Sequence, residues 1–150
     1  DRYEAARKAV KLVREGQAEL LMKGMLGTDS ILKAVLDKDI GLRTKRLLSH
    51  AYVLKLKKYE KLLIVTDAAM NIAPNLEQKV QILQNVINFC HCLEIEKPKI
   101  AVLAAVELVN PDMPACIDAA CLSKMADRGQ ITGGIDDDIG RKFAAVGQNH

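Results

Sequence analysis

Tryptophan is absent from this 150-residue chain, and with three tyrosines and two phenylalanines the aromatics make up only 3% of it. Single-stranded nucleic acid is usually held on aromatic stacking platforms, so that class of partner is disfavoured, and the core has to be built from Leu, Ile, Val and Ala. No apolar run approaches the roughly 20 residues of a membrane span. The opening stretch DRYEAARKAV is charged, so a cytoplasmic protein with no membrane partner is expected. Nor does one sign of charge dominate. Lys and Arg number 22 against 19 Asp and Glu, a net charge of +3, too mild and too dispersed to argue for nucleic acid or a membrane surface. No GxGxxG follows a predicted strand, and no set of aspartates has metal-binding spacing, which disfavours a nucleotide-dependent dehydrogenase.

Cysteine is scarce as well. The four cysteines, Cys90, Cys92, Cys116 and Cys121, fall inside predicted helices rather than in regularly spaced loops, as in a reduced compartment rather than a disulfide scaffold. Cys90-His91-Cys92 has the residue types of a metal cluster, but successive helical side chains point about 100° apart and do not converge on one ion. Asp136, Asp137 and Asp138 are three adjacent carboxylates without calcium-loop spacing, and solvated charge is the expected reading.

What is present is an alternation of apolar runs, polar loops and helical periodicity. Residues 2–15 read as a helix with Ala6, Val10 and Val13 on one face and Gly16 at its stop. Residues 19–22 read as a short strand, followed by a loop with Gly24 and Gly27 and a helix capped by Thr28 or Asp29, with Ile31, Ala34 and Val35 inward. A Gly-containing loop leading into exposed helix N–H groups suits an oxyanion or phosphate, and a plain connection fits it as well. AYVLKL and LLIVTD, joined by the charged KKYEK segment, read as an antiparallel pair, with Lys55, Lys57, Lys58 and Lys61 blunting its exposed end.

The second run ends in Thr66, Asp67 and Asn71. Pro74 stops continuation, Asn75 and Gln78 form a capping box, and Leu76, Val80, Leu83, Ile87 and Cys90 recur at helical spacing. Ligands in open α/β sheets bind at the carboxyl ends of strands, which makes this polar loop a candidate site. Beside it, Arg43, Thr44, Arg46 and Ser49 combine guanidinium forks and hydroxyls suited to phosphate oxygens, and His50 is read as structural before catalytic. Residues 100–104 read as a strand buried on both faces. Glu107 and Asn110 follow it, Asp112 is a candidate cap, and a helix carries Ile117, Ala120, Cys121, Lys124 and Met125 up to Arg128-Gly129. GQITGGI starts a further strand. The expected class is α/β, a three-layer α/β/α fold with a mostly parallel sheet, in one compact region over residues 1–135.

As a set, MKG (22–24), Thr28, AVL (34–36), GLRT (41–44), LSH (48–50), TDAAMNIAP (66–74), AAVELVNPDMP (104–114) and DAACLSKMADRGQITGG (118–134) resemble the phosphate acetyl/butyryl transferase family. Their order and spacing fit phosphate butyryltransferases and equally the transferase half of bifunctional enoyl-CoA hydratase/phosphate acetyltransferases. The resemblance implies exchange of coenzyme A and inorganic phosphate on a short-chain acyl group. It further implies a two-domain fold related to isocitrate and isopropylmalate dehydrogenases, homo-oligomers of two or more subunits, coenzyme A as substrate, and neither cofactor nor metal. Family members are considerably longer, so a partial version of the fold is implied.

Direct attack by the CoA thiolate on an acyl phosphate requires groups that position phosphate, stabilise the oxyanion and handle the thiol proton. With the family as guide, Thr28 and Arg43 are expected on phosphate oxygens, with Gly24, Thr44 and Asn110 completing the phosphate- or substrate-binding set. Ser49 and Asn71 are expected as neutral donors at the carbonyl. Asp67 is expected to orient or to handle a proton, with capping of its own loop as the alternative. The resemblance covers residues 1–135, and residues 136–150 remain an unassigned tail. The family's C-terminal Ser-Arg pair and neighbouring acidic residue have no matching position and are not carried over. A catalytically incomplete module that binds CoA or phosphate is the alternative function.

Overall fold

The computed structural model describes residues 2–106 and 108–134, which divide into two compact units lying within Asp1–Arg46 and Leu47–His150. It is an α/β chain of four helices and one small sheet among the described residues.

In the first unit, α1 (Arg2–Arg14) is rich in Ala, Lys and Arg, with Glu4 in its first turn and Lys11 and Arg14 in its last, the arrangement that complements the helix dipole. Ala6 and Val10 are buried, as expected, against α2 (Thr28–Val35), which contributes the buried Ala34. Tyr3, Leu21, Leu26, Val35 and Leu42 close this small core. The cap of α2 differs from expectation. Its N-cap is Gly27, extended and without a side-chain bond, so Thr28 is already the first helical residue. Beyond α2 the chain folds tightly back: Asp37 Oδ1 accepts from the N–H groups of Asp39 and Ile40, and Leu42 N–H donates to Val35 O at 2.8 Å. Gly41 belongs there because a Cβ would lie 2.5 Å from Val35 O and closer still to Asp37 O.

The second unit opens with the expected antiparallel pair, β1 (Ala51–Lys55) and β2 (Leu62–Thr66), in register from Ala51 opposite Thr66 to Lys55 opposite Leu62. Helix α3 (Leu76–Cys92) follows, capped as predicted: Asn75 Oδ1 accepts from Gln78 N–H and Gln78 Oε1 from Asn75 N–H, each at 2.9 Å. It packs with α4 (Pro114–Asp127) around Leu83, Ile87, Leu122, Ala126 and Ile131, and an ion pair from Lys79 to Asp118 links the two helices. Helix α4 starts from Met113 with Pro114 at its first turn rather than from Asp112. It buries Cys116, Ala119, Leu122 and Ala126, whereas Ile117, Ala120 and Lys124 are exposed.

The two-stranded ribbon is the only sheet among the described residues, and it is antiparallel where the alternation predicts a mostly parallel one. Residues 19–22 and 100–104 carry no ladder. Ile100, Val102 and Ala104 turn inward while Ala101 and Leu103 face out, a period of two without a hydrogen-bonded neighbour. Residues 129–134 form no strand either, and Ile135 with the tail 136–150 lies outside the described residues.

Three helices end on the same device. The residue after each C-cap takes positive φ, and paired N–H bonds return to the last turn: Gly16 in α1, Glu94 in α3 and Gly129 in α4.

Candidate functional site

The stretch 47–50, between the two units' boundary and β1, is gripped from two sides. From α3, Gln81 Oε1 accepts from Leu47 N–H at 2.9 Å, and Asn85 Nδ2 donates to Leu47 O at 2.8 Å and to Ser49 Oγ at 3.0 Å. From the end of β2 and the loop after it, Thr66 Oγ donates to His50 O at 2.7 Å, Asp67 Oδ1 accepts from His50 N–H at 3.0 Å, and Asn71 Nδ2 donates to Leu48 O at 3.1 Å. The short segment LSH thus has its backbone tied on both flanks while Ser49 stays half-buried.

Asp67 organises the loop. Its Oδ1 also takes Met70 N–H at 3.3 Å, and its Oδ2 takes the backbone N–H of Asn71 at 3.1 Å and the Asn71 side-chain amide. Partial burial acts to raise the pKa of this carboxyl. It is outweighed by the bonds from the Asn71 side chain and from the N–H groups of His50, Met70 and Ala69, which hold Asp67 below its ordinary range. A carboxylate whose oxygens are held by several donors is a fixed negative anchor and a poor proton acceptor. The bonds from Met70 and Asn71 N–H are those of the loop-capping alternative for Asp67, and the bond from His50 N–H adds a tie to the LSH segment.

Asn71 was expected as a donor. Its side-chain nitrogen already donates to Leu48 O and Asp67 Oδ2, which leaves its Oδ1 open among the described residues. Ser49 keeps its donor, since Asn85 supplies a hydrogen to Oγ and none of the described residues accepts the one Ser49 carries. His50 is held through its backbone, and its ring packs edge-to-face on Tyr52 at 4.3 Å with a buried Nδ1 that has no hydrogen-bond partner among the described residues.

The remaining expected residues lie apart from this cluster in their local bonding. Asn110 Oδ1 accepts from Asp112 N–H at 3.0 Å and so builds the turn before α4. Gly24, Thr28, Arg43 and Thr44 belong to the first unit. Thr44 Oγ accepts from Arg46 N–H at 3.1 Å, Arg43 is exposed without a hydrogen bond among the described residues, and Lys23 Nζ reaches Leu26 O at 2.9 Å and Gly24 O across the glycine loop. Glu107 falls outside the described residues. In the Cys90-His91-Cys92 run the side chains part, Cys90 into the core with burial pushing its thiol up, His91 to Gly133 O, and Cys92 to solvent. Sequence reasoning missed Gln81 and Asn85. The available signal is their spacing of four, which puts two amides on one stripe of α3 next to its apolar face.

The sequence profile described as phosphate acetyl/butaryl transferase matches residues 2–146, running into the stretch that the motifs left unassigned. A phosphate butyryltransferase of Clostridium acetobutylicum is 47% identical over 134 residues, 89% of this chain and 44% of that protein. A phosphate acetyltransferase of Rickettsia felis is 48% identical over 136 residues, 90% of this chain and 39% of that one. In structure the chain is similar to a branched-chain phosphotransacylase from Enterococcus faecalis V583, with a TM-score of 0.78 at 35% identity, covering 91% of this chain and 49% of that chain. This chain therefore spans less than half the length of each of these three relatives. With a match across almost its whole length, the chain belongs to the phosphate acetyl/butaryl transferase family.

Proposed function

We propose that this chain carries one part of an acyltransferase that exchanges coenzyme A and inorganic phosphate on a short-chain acyl group. The observation that supports the reading most directly is the identity of 47% and 48% to proteins named phosphate butyryltransferase and phosphate acetyltransferase. In the proposed reaction the CoA thiolate attacks the carbonyl carbon of an acyl phosphate. A C–S bond forms, the bond from that carbon to the phosphate oxygen breaks, phosphate leaves with the electron pair, and the thiol proton passes to solvent or to phosphate. In reverse, a phosphate oxygen attacks the thioester and CoA leaves.

Within that scheme Ser49 donates to the carbonyl oxygen as charge develops there, and Asp67 with Asn71 keeps the LSH segment in place for it. Gly24, Thr28, Arg43, Thr44 and Asn110 form the phosphate- and substrate-binding set, of which Arg43 is the strongest contributor because its guanidinium is uncommitted. Coenzyme A is a substrate, and no cofactor or metal takes part. The proposal extends to a cytoplasmic homo-oligomer. It extends also to a complete three-layer α/β/α fold with a mostly parallel sheet, of the isocitrate and isopropylmalate dehydrogenase kind, an architecture supported by the strand-loop-helix alternation of the sequence.

The test is release of CoA from butyryl-CoA, dependent on phosphate and supported equally by arsenate. A folded sample that releases none at high protein concentration removes catalysis from this chain. A second reading is favoured by the coverage of only 44% and 39% of the relatives: a module that binds CoA or phosphate without turning them over. Calorimetric titration with each compound separates the two, and absent heats for both eliminate the second.

A further inference from the structure

Gln81 and Asn85 stand four residues apart on α3, and both meet the backbone of Leu47. The chemistry of that backbone decides which atom of each amide faces it. A carbonyl oxygen only accepts, so the Asn85 atom 2.8 Å from Leu47 O is the nitrogen. A backbone N–H only donates, so the Gln81 atom 2.9 Å from Leu47 N is the oxygen. With the orientation of Asn85 settled in this way, its nitrogen at 3.0 Å from Ser49 Oγ also donates. Two amide hydrogens meet two acceptors. Ser49 Oγ receives one of them, and its own hydrogen has no acceptor among the described residues.

We infer that Asn85 is a positioning residue that fixes the Ser49 hydroxyl as an outward hydrogen-bond donor to a substrate oxygen. The inference rests on the reading of Ser49 as a substrate-facing residue. It also separates two chemistries for a serine. A nucleophilic hydroxyl gives its hydrogen to a neighbouring base. Here the neighbour is itself a donor, so Oγ stays protonated and serves as a preorganised donor for an oxyanion. Gln81 holds the same backbone with no hydrogen bond to Ser49 among the described residues, which makes it an internal control.

The experiment uses the full 150-residue chain with Asn85→Asp, Gln81→Glu, Ser49→Ala and the Ser49→Ala/Asn85→Asp pair. Asp has the shape of Asn but accepts only, so it captures the Ser49 hydrogen and removes the outward donor. Glu at position 81 still accepts from Leu47 N–H. With butyryl-CoA and phosphate, Asn85→Asp and Ser49→Ala are each expected to lower kcat by about 10²-fold with KM little changed. The double variant falls no further, and Gln81→Glu stays within about twofold of the parent. Additive losses in the double variant, or a loss in Gln81→Glu equal to that in Asn85→Asp, overturn the inference and leave α3 a mere support. If the parent chain turns nothing over, the acyl-transfer reading fails on its own and the orientation is read by NMR. Ser49→Ala is then expected to displace the Asn85 side-chain amide resonances and leave those of Gln81 in place, and unmoved Asn85 resonances overturn the inference.

Discussion

Gln84 holds Thr132 as a neighbouring strand would: its Nε2 donates to Thr132 O at 2.9 Å and its Oε1 accepts from Thr132 N–H at 3.1 Å. A single side chain replaces the ladder that residues 129–134 lack, and His91 adds a bond to Gly133 O about two turns along α3. Replacing Gln84 with Ala is expected to destabilise the chain by about 1–2 kcal/mol in urea denaturation. Amide exchange at Thr132 should accelerate in the same variant. Unchanged exchange at that amide would show that the clasp does not hold the segment.

Of the three helix ends that take positive φ, only that of α3 uses a residue with a side chain, Glu94 at φ +60°. The left-handed conformation costs an L-residue about 1 kcal/mol relative to glycine. Glu94→Gly is therefore expected to stabilise the chain, and Gly129→Ala, at φ +71°, to destabilise it by a similar amount. Thermal melts of the two variants on either side of the parent are the check.

The capping box at Asn75 makes a third prediction. Asn75→Ala frees the N–H of Gln78 and is expected to cost about 1 kcal/mol. Gln78→Ala frees only the N-cap N–H, so its effect is smaller. Equal costs in urea titrations would contradict this ordering.

Acid should act through Asp67. Its folded carboxyl titrates below the ordinary 3.8, because the bonds to Asn71, His50, Met70 and Ala69 outweigh the upward effect of burial. The unfolded chain takes up that proton first as pH falls. Asp67 therefore contributes fully above the unfolded value and loses its contribution as pH drops through the lower, folded one. Asp67→Asn is expected to melt earlier than the parent near about pH 7, with the gap closing below about pH 4. A gap that stays constant into stronger acid would detach the LSH anchor from this ionisation.

Features carried by local chemistry were legible in the sequence: the Asn75–Gln78 box, the glycine stops after α1 and α4, the paired runs ending at Thr66, and the apolar stripe of α3. What depends on distant neighbours was not. Residues 100–104 have the composition of a buried strand and the alternation of one, but a ladder requires a partner, and partnership is not written in the run itself. The inward face of α4 falls on Cys116, Ala119 and Leu122, with Leu122 and Ala126 in one cluster with Leu83 and Ile87 of α3, a preference that periodicity in a helix apolar nearly all round does not reveal. For the site, Asp67 and Asn71 stood out as polar groups after an apolar strand. Gln81 and Asn85 did not, because polar residues on a helix read as its solvated side until the segment they hold is known.

The ribbon of β1 and β2 exposes Tyr52, Val53, Leu54, Leu62, Leu63 and Val65 by roughly two-fifths or more each, and within the described residues both of its edges are open. Open edges template association between molecules, and Lys55, Lys57, Lys58 and Lys61 oppose it by mutual repulsion. That repulsion reaches about 10 Å at 0.1 M salt and only about 3 Å at 1 M. Colloidal behaviour is thus expected to follow ionic strength: clear solutions in dilute buffer, rising light scattering as NaCl is added, and suppression of that scattering when Leu63 is replaced by Lys.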